Sequence, residues 1–161
     1  MSTENNLKTA ISGESQANRK YLAFAQKADE EGLKGVAKLF RAASEAESLH
    51  ALNQLKVAGL IKSTAENLQA AIEGETYEFT EMYPAFIEKA TEENHSAAKR
   101  AFHLANEAEK SHADLYKKAL EDPNKDADYY FCGVCGYINE NSAPDKCPVC
   151  GAPSSMFKNI G

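Results

Sequence analysis

The sequence predicts a mainly α-helical protein: a four-helix bundle followed by a small module built on four cysteines. Three observations predict it. Val36, Phe40, Ala43, Glu47, His50, Gln54 and Val57 fall at alternating steps of four and three, and Ala98, Phe102, Ala105, Glu109, His112, Tyr116 and Ala119 repeat those steps. Such steps hold residues on one side of a helix. Glu14 precedes Glu47 by 33 residues and Glu75 precedes Glu109 by 34, so the helical part reads as one hairpin written twice. All four cysteines lie beyond residue 131, as two Cys-x-x-Cys pairs in a stretch where helical periodicity has stopped.

The first helix is expected over residues 5–31, ending at Gly32, with a stripe of Leu7, Ile11, Glu14, Asn18, Tyr21, Ala25 and Ala28. The second is expected over 34–58, with Gly59 as its C-cap. Ser63-x-x-Glu66 reads as a capping box opening a third helix that carries Leu68, Ile72, Glu75, Phe79, Met82 and Phe86. Pro84 lies inside that helix and predicts a kink or break. The fourth is expected over 93–121, with Pro123 just beyond its end. Composition then changes abruptly. The expected domains are 1–122 for the bundle, 123–128 for a linker and 129–161 for the cysteine module.

Each stripe is apolar at both ends, as a core-facing stripe should be, with Glu and His at its centre. An unpaired carboxylate on a buried face costs several kcal/mol and normally neutralises or finds a partner. A metal ion would satisfy both helices at once. In Glu-x-x-His the two side chains project from the same helix face. Two such motifs, with a Glu on each remaining helix, form the pattern known from ferritin-like di-iron and di-manganese bundles. The candidate ligands are Glu14, Glu47, His50, Glu75, Glu109 and His112, and Glu78 adds a further carboxylate in Glu-x-x-Glu. Hard carboxylate oxygens with one imidazole per metal suit iron or manganese. Glu30, Glu31, Glu45 and Glu107 lie off the stripes and read as surface charges, and His95 and His103 as exposed or capping histidines. Tyr21, seven residues after Glu14, and Tyr83, five after Glu78, are either core aromatics or hydrogen-bond partners of ligands; spacing does not choose.

Cys132, Cys135, Cys147 and Cys150 have the spacing of two metal-binding knuckles, with Gly136 and Gly151 following each second cysteine. A tetrahedral S₄ site for Zn²⁺ or a single iron results. Zinc would merely stabilise a module too small to fold alone, whereas iron would carry electrons. The neighbouring di-metal motif favours iron, because a di-iron site that reduces something needs an electron source.

Net charge is −6, and no Lys/Arg cluster marks a nucleic-acid or anionic-membrane partner. The N-terminus has neither the basic nor the apolar region of a signal peptide, and no run of 18 apolar residues occurs. Paired cysteines without an export signal favour metal over disulfides. A cytoplasmic location is expected.

The combination resembles the rubrerythrin family. The resemblance rests on Gly13-Glu14-Ser15, Glu47-Ser48-Leu49-His50, Gly74-Glu75-Thr76-Tyr77-Glu78 running into Met82-Tyr83-Pro84, Glu109-Lys110-Ser111-His112, and Cys132-Gly-Val-Cys135-Gly-Tyr with Cys147-Pro-Val-Cys150-Gly-Ala-Pro. It implies a ferritin-like four-helix bundle with a C-terminal rubredoxin-like domain, acting as a peroxidase that reduces hydrogen peroxide to water. Two irons would sit in the bundle and a mononuclear iron on the cysteines, with manganese or zinc able to substitute in the first and zinc in the second. Glu47 and Glu109 would bridge, Glu14 would be terminal on one iron, and Glu75 and His112 would serve the other. Glu78 and His50 would exchange as ligands on reduction, and Tyr21 and Tyr83 would hydrogen-bond to ligands. Rubredoxin or an NAD(P)H-dependent reductase would donate electrons to a homodimer or higher homo-oligomer. The alternatives are ferritin-like iron oxidation and storage, and a zinc ribbon on a metal-sensing bundle.

His112 lies nine residues before the end of its helix. At ~1.5 Å per residue the linker begins ~14 Å beyond it. A module reaching its own His112 must therefore fold back, and electron transfer between subunits of a head-to-tail dimer is the expectation.

Overall fold

The computed structural model describes residues 2–160. The chain divides into two compact units, the first ending at Lys62 and the second beginning at Ser63.

The first unit is a helical hairpin. Helix α1 spans Thr3–Glu30, its amino end capped by the Ser2 hydroxyl, which accepts from the Asn5 amide. Gly32 takes φ +76°, the left-handed turn that reverses the chain into α2, Lys34–Val57. The hairpin seam is made of small side chains. Ala37, Ser44 and Ala51, spaced by sevens on α2, are buried, as are Ala25 and Ala28 on α1. The stripe carrying Glu47 and His50 was expected to face the core, yet Val36 is 42% exposed and Val57 75%. Two helices cover only one flank of each other, and the small-residue seam occupies that flank.

Helix α2 ends in a Schellman motif: Gly59, at φ +66°, donates to the Lys56 carbonyl and Leu60 to that of Leu55. Ser63 then makes the expected capping box with Glu66 and opens α3, Thr64–Tyr77. Pro84 neither breaks nor visibly ends the helix. A π-helical turn, Glu78–Met82, carries α3 directly into α4, Tyr83–Glu92, with the Tyr83 amide donating to the Glu78 carbonyl five residues back. The wider turn absorbs a residue with no N–H to give. The expected start of the last helix at residue 93 is corrected: Asn94 adopts φ +55° and α5 runs Ser96–Glu121. His95 is its cap, with Nδ1 accepting from the Ala98 amide at 3.2 Å. Asn106 and Ala113, again seven apart, are buried on α5.

The C-terminal part of the second unit is a three-stranded antiparallel sheet in the order β2-β1-β3, from β1 Tyr129–Cys132, β2 Ile138–Glu140 and β3 Phe157–Ile160. Tyr130 pairs with Asn139 on one side and Asn159 on the other. Gly133 is packed so closely that a Cβ would lie 3.1 Å from the Met156 carbonyl oxygen. Among the described residues no helix is long and apolar enough to cross a membrane.

Candidate metal centres

The two hairpins repeat one another at the atomic level. In the first, His50 Nδ1 lies 2.9 Å from Glu47 Oε2 and 3.9 Å from Glu14 Oε1. In the second, His112 Nδ1 lies 2.6 Å from Glu109 Oε2 and 3.8 Å from Glu75 Oε1. Each trio offers one donor atom apiece, all within 4.8 Å of one another. Helix geometry produces the short contact at i,i+3, and the seam between the helices brings in the third carboxylate. An aromatic trio repeats as well. Tyr21, Phe24 and Phe40 sit with ring centroids 5.5–6.2 Å apart, and Tyr83, Phe86 and Phe102 at 5.5–6.3 Å.

The trios differ in how their histidines are held. His50 is 53% exposed at its side chain, His112 only 18%. His112 Nε2 donates to the Gly136 carbonyl oxygen at 2.9 Å. A carbonyl only accepts, so Nε2 must carry the proton, and in the neutral ring the lone pair of Nδ1 faces the carboxylates. Two acceptors 2.6 Å apart require a cation or a shared proton between them. The same crowding is visible in protonation. Burial, with Glu109 beside it, raises Glu75 to about 7. Burial and Glu109 also raise Glu78. Glu109 is lowered because His112 hydrogen-bonds to it. Burial pushes His112 down, but its hydrogen bonds to Glu109 and the Gly136 carbonyl, together with the charges of Glu109 and Glu75, leave it raised. Anionic oxygens gathered around an aimed imidazole fit a divalent ion that prefers O and N donors.

Among the described residues, neither tyrosine hydroxyl donates to a ligand carboxylate. Tyr83 nevertheless lies close enough that burial together with Glu78, Glu109 and Glu75 raises its pKa. The π-turn accounts for this. Five residues along an α-helix put a side chain about 140° off the starting face, whereas the Tyr83-to-Glu78 amide bond closes one wide turn.

The four thiols form the third group. Cys132 Sγ is 3.7 Å from Cys150 Sγ and Cys135 Sγ 3.6 Å from Cys147 Sγ. Metal–sulfur bonds of ~2.3 Å at tetrahedral angles place sulfurs ~3.8 Å apart, so the cluster already has the dimensions of an S₄ site. Two equivalent knuckles build it. Gly136 donates to the Cys132 carbonyl and Gly151 to that of Cys147, both at 2.9 Å, with φ of +83° and +76°. Burial raises Cys135 and Cys150, while backbone amides of Val134 and Cys135 lower Cys132 in spite of it. Such a set ionises fully only around a cation.

The cysteine module lies against the His112 of its own chain. It folds back within its own unit: Gly136 meets His112, and the Ile138 amide meets the Ser111 hydroxyl at 3.5 Å. An apolar cavity of about 280 Å³, lined by Leu68, Leu115, Tyr116, Tyr129 and Ile138, lies beside His112. Gly136, Ser111 and the Asn18–Ser44 pair were not foreseen as parts of the centres. Asn18 donates to the Ser44 carbonyl at 2.8 Å and to its hydroxyl at 3.0 Å, and Ser44 donates back to the Asn18 carbonyl at 3.0 Å. Only their places on the Glu14 helix and three residues before Glu47 hinted at this.

Comparison with known proteins agrees with this picture. The rubrerythrin family model matches residues 5–120, and the model of the rubrerythrin rubredoxin-like domain matches residues 130–158. Nigerythrin from Nitratidesulfovibrio vulgaris is 41% identical, covering 97% of this chain and 85% of its own length. That alignment runs over 173 positions, more than this chain possesses, so nigerythrin carries inserted residues. Rubrerythrin-2 from Clostridium acetobutylicum is 33% identical over 94% of this chain and 93% of its own. The fully reduced, all-ferrous structure of nigerythrin matches with a TM-score of 0.61 and 37% identity, covering 99% of this chain and 87% of that one. The fold and both donor sets are those of a di-iron plus Fe(Cys)₄ arrangement.

Proposed function

The chain belongs to the rubrerythrin family, and we propose that it is a non-haem di-iron peroxidase reducing hydrogen peroxide to water. Glu14, Glu47, His50, Glu75, Glu78, Glu109 and His112 are the proposed ligands of two irons, and Cys132, Cys135, Cys147 and Cys150 those of a mononuclear iron. The proposed division of labour is residues 1–122 for peroxide chemistry, 123–128 as linker and 129–161 for electron entry.

One observation carries the reading: the hydrogen bond of His112 to Gly136, the residue that follows Cys135. A zinc ribbon that merely held itself together would have no need to touch a metal-ligand histidine. Here the sulfur site is joined to the carboxylate site through one peptide and one imidazole. Reduction of H₂O₂ to two waters consumes two electrons and two protons. Two ferrous ions, when bound, supply those electrons and act as Lewis acid and template. The residues then have separable tasks. The Gly136 carbonyl fixes the tautomer and orientation of His112. His50, more exposed and without such a tether, is free to enter and leave the ligand set opposite Glu78. Tyr83, beside Glu75, Glu78 and Glu109, and Tyr21 are proposed to donate to ligand carboxylates once metal has drawn those carboxylates together, a bond that neither makes in this structure. The apolar lining beside His112 limits access of water.

Electrons are proposed to come from rubredoxin or an NAD(P)H-dependent reductase, with the protein working in the cytoplasm as a homo-oligomer. The test is anaerobic reduction of iron-loaded protein followed by peroxide, watched by absorption spectra and metal analysis. About three irons per chain, a red thiolate–iron colour and fast re-oxidation by stoichiometric peroxide are expected. Colourless protein with zinc on the cysteines and no peroxide consumption would overturn the reading.

A further inference from the structure

We propose that Glu140 is the positioning residue that seats the cysteine module on α5 and thereby keeps the Gly136 carbonyl on His112. Its consequence for electron delivery rests on the peroxidase reading above.

The module meets α5 along one line. On the module side every second residue makes the contact, and β2 is an edge strand of the sheet. The Gly136 carbonyl takes the His112 proton, the Ile138 amide faces the Ser111 hydroxyl, and the Glu140 carboxylate lies near Lys118. On the helix side Ser111, Leu115 and Lys118 follow at steps of four and three, so one strand edge runs beside one helix face. Between the two ends, Leu115 and Ile138 line the apolar cavity together with Leu68 and Tyr129. Apolar contact is non-directional and fixes no register. The bond at Gly136 fixes one point, about which the module would still be free to swing. A second point at the far end, ~13 Å along the chain at ~3.3 Å per residue, removes that freedom.

Glu140 has the surroundings of such a point. Its side chain is only 16% exposed, and Lys125 Nζ reaches its Oε1 at 2.5 Å. The bond from Lys125 holds the carboxyl below its ordinary range, and the charges of Lys125 and Lys118 add to that. Two lysines, one on the segment after α5 and one on α5 itself, therefore converge on one carboxylate of the module. Exposed ion pairs contribute little. This acceptor is largely out of water, and a charge-assisted bond of this kind is both stronger and more directional. The backbone of the intervening segment agrees. The Lys125 amide donates to the Asp122 carbonyl at 3.2 Å, and the Asn141 amide to that of Asp128 at 2.7 Å. Residues 123–128 are thus tied to the helix end on one side and to the end of β2 on the other. They form a strap rather than a loose tether.

Hydrogen exchange in the full-length protein loaded with zinc, which is diamagnetic, tests this without turnover. The His112 Nε2 proton is followed by NMR in the wild type and in Glu140→Gln, Lys125→Gln and Lys125→Arg. In the wild type it should exchange slowly. In Glu140→Gln and Lys125→Gln it should exchange about tenfold faster, because the module swings away more often. Lys125→Arg keeps the charge and should keep the protection. With iron in place, Glu140→Gln should slow transfer from the cysteine iron to the bundle irons several-fold while the colour of the sulfur site stays unchanged. Wild-type exchange in Glu140→Gln, or equal loss of protection in Lys125→Arg and Lys125→Gln, would overturn the assignment. Iron-loaded protein inert to peroxide would overturn the peroxidase reading, and the exchange rates of the zinc form would still decide the role of Glu140.

Discussion

His112 Nε2 and the Gly136 carbonyl oxygen are 2.9 Å apart, and this one bond ties the histidine grouped with Glu75 and Glu109 to the knuckle that shapes the cysteine cluster. The knuckle needs Gly at 136 for its φ of +83°, and the turn so formed is what aims the carbonyl at the ring.

Gly136→Ala should therefore separate two effects. An L side chain at this φ costs ~1–2 kcal/mol of backbone strain, and relief of that strain moves the carbonyl. Gly151→Ala imposes comparable strain in the sister knuckle, at φ +76°, away from His112. Stopped-flow reduction should show slower transfer from the cysteine iron to the bundle irons in the first variant, by tenfold or so in rate, ~1.4 kcal/mol of barrier. The second variant should transfer at the wild-type rate. Equal slowing in both would reduce the Gly136 effect to general loosening of the module.

Cys135→Ser should remove the red colour and about one iron in three, leaving the bundle irons in place. Pre-reduced protein should still be re-oxidised by peroxide in a single turnover. Steady-state turnover with an external reductant should fall by more than an order of magnitude. Unchanged steady-state turnover would mean that electrons enter the bundle without passing the sulfur site.

Deletion of Thr80 should convert the π-turn to regular α-helix, rotating everything beyond it by about 100° relative to Glu75 and Glu78. Tyr83 would leave the carboxylates. Helix content should hold or rise while peroxide re-oxidation slows several-fold, read by circular dichroism and rapid mixing on the same samples. Unaltered re-oxidation kinetics would assign Tyr83 to the aromatic trio with Phe86 and Phe102 alone.

Asn18→Ala should destabilise the first hairpin more than Ser44→Ala. Ser44→Ala deletes a hydroxyl but leaves the Asn18 amide on the Ser44 backbone carbonyl, a loss of about 1 kcal/mol. Asn18→Ala strips partners from a carbonyl and a hydroxyl, Ser44 being fully buried, for about 1–3 kcal/mol. At roughly 2–4 °C of Tm per kcal/mol in a chain of this size, calorimetry resolves the difference. The opposite order would show that the Asn18 site is rescued by water.

Much of this molecule was legible in its residues because clustered donors betray themselves chemically. Glu and His at the centre of an apolar stripe are costly to bury unless an ion sits between them, and the cysteine spacing closes naturally around a metal. The capping box at Ser63 and the left-handed glycines at 32 and 59 were readable for a similar reason, each being a local rule obeyed locally. What escaped was relational. Pro84 signalled disturbance, but whether a helix answers with a kink, a break or a π-turn depends on which side chains must stay aligned across it. The Gly136 carbonyl has no side chain to advertise it. The stripe of Val36 to Val57 was assumed to be core, whereas the hairpin buries the Ala37, Ser44 and Ala51 line; periodicity gives a face without saying which partner takes it.

The two trios match closely, at 2.9 and 3.9 Å against 2.6 and 3.8 Å, yet their surroundings do not. Glu78 stands beside one trio alone, the Asn18–Ser44 clasp belongs to the other hairpin, and only His112 is tethered to a carbonyl. Two ions held by near-equal donors in unequal surroundings would not be equivalent: the one on the loose histidine could change its ligands at low cost, and the one on the tethered histidine could not.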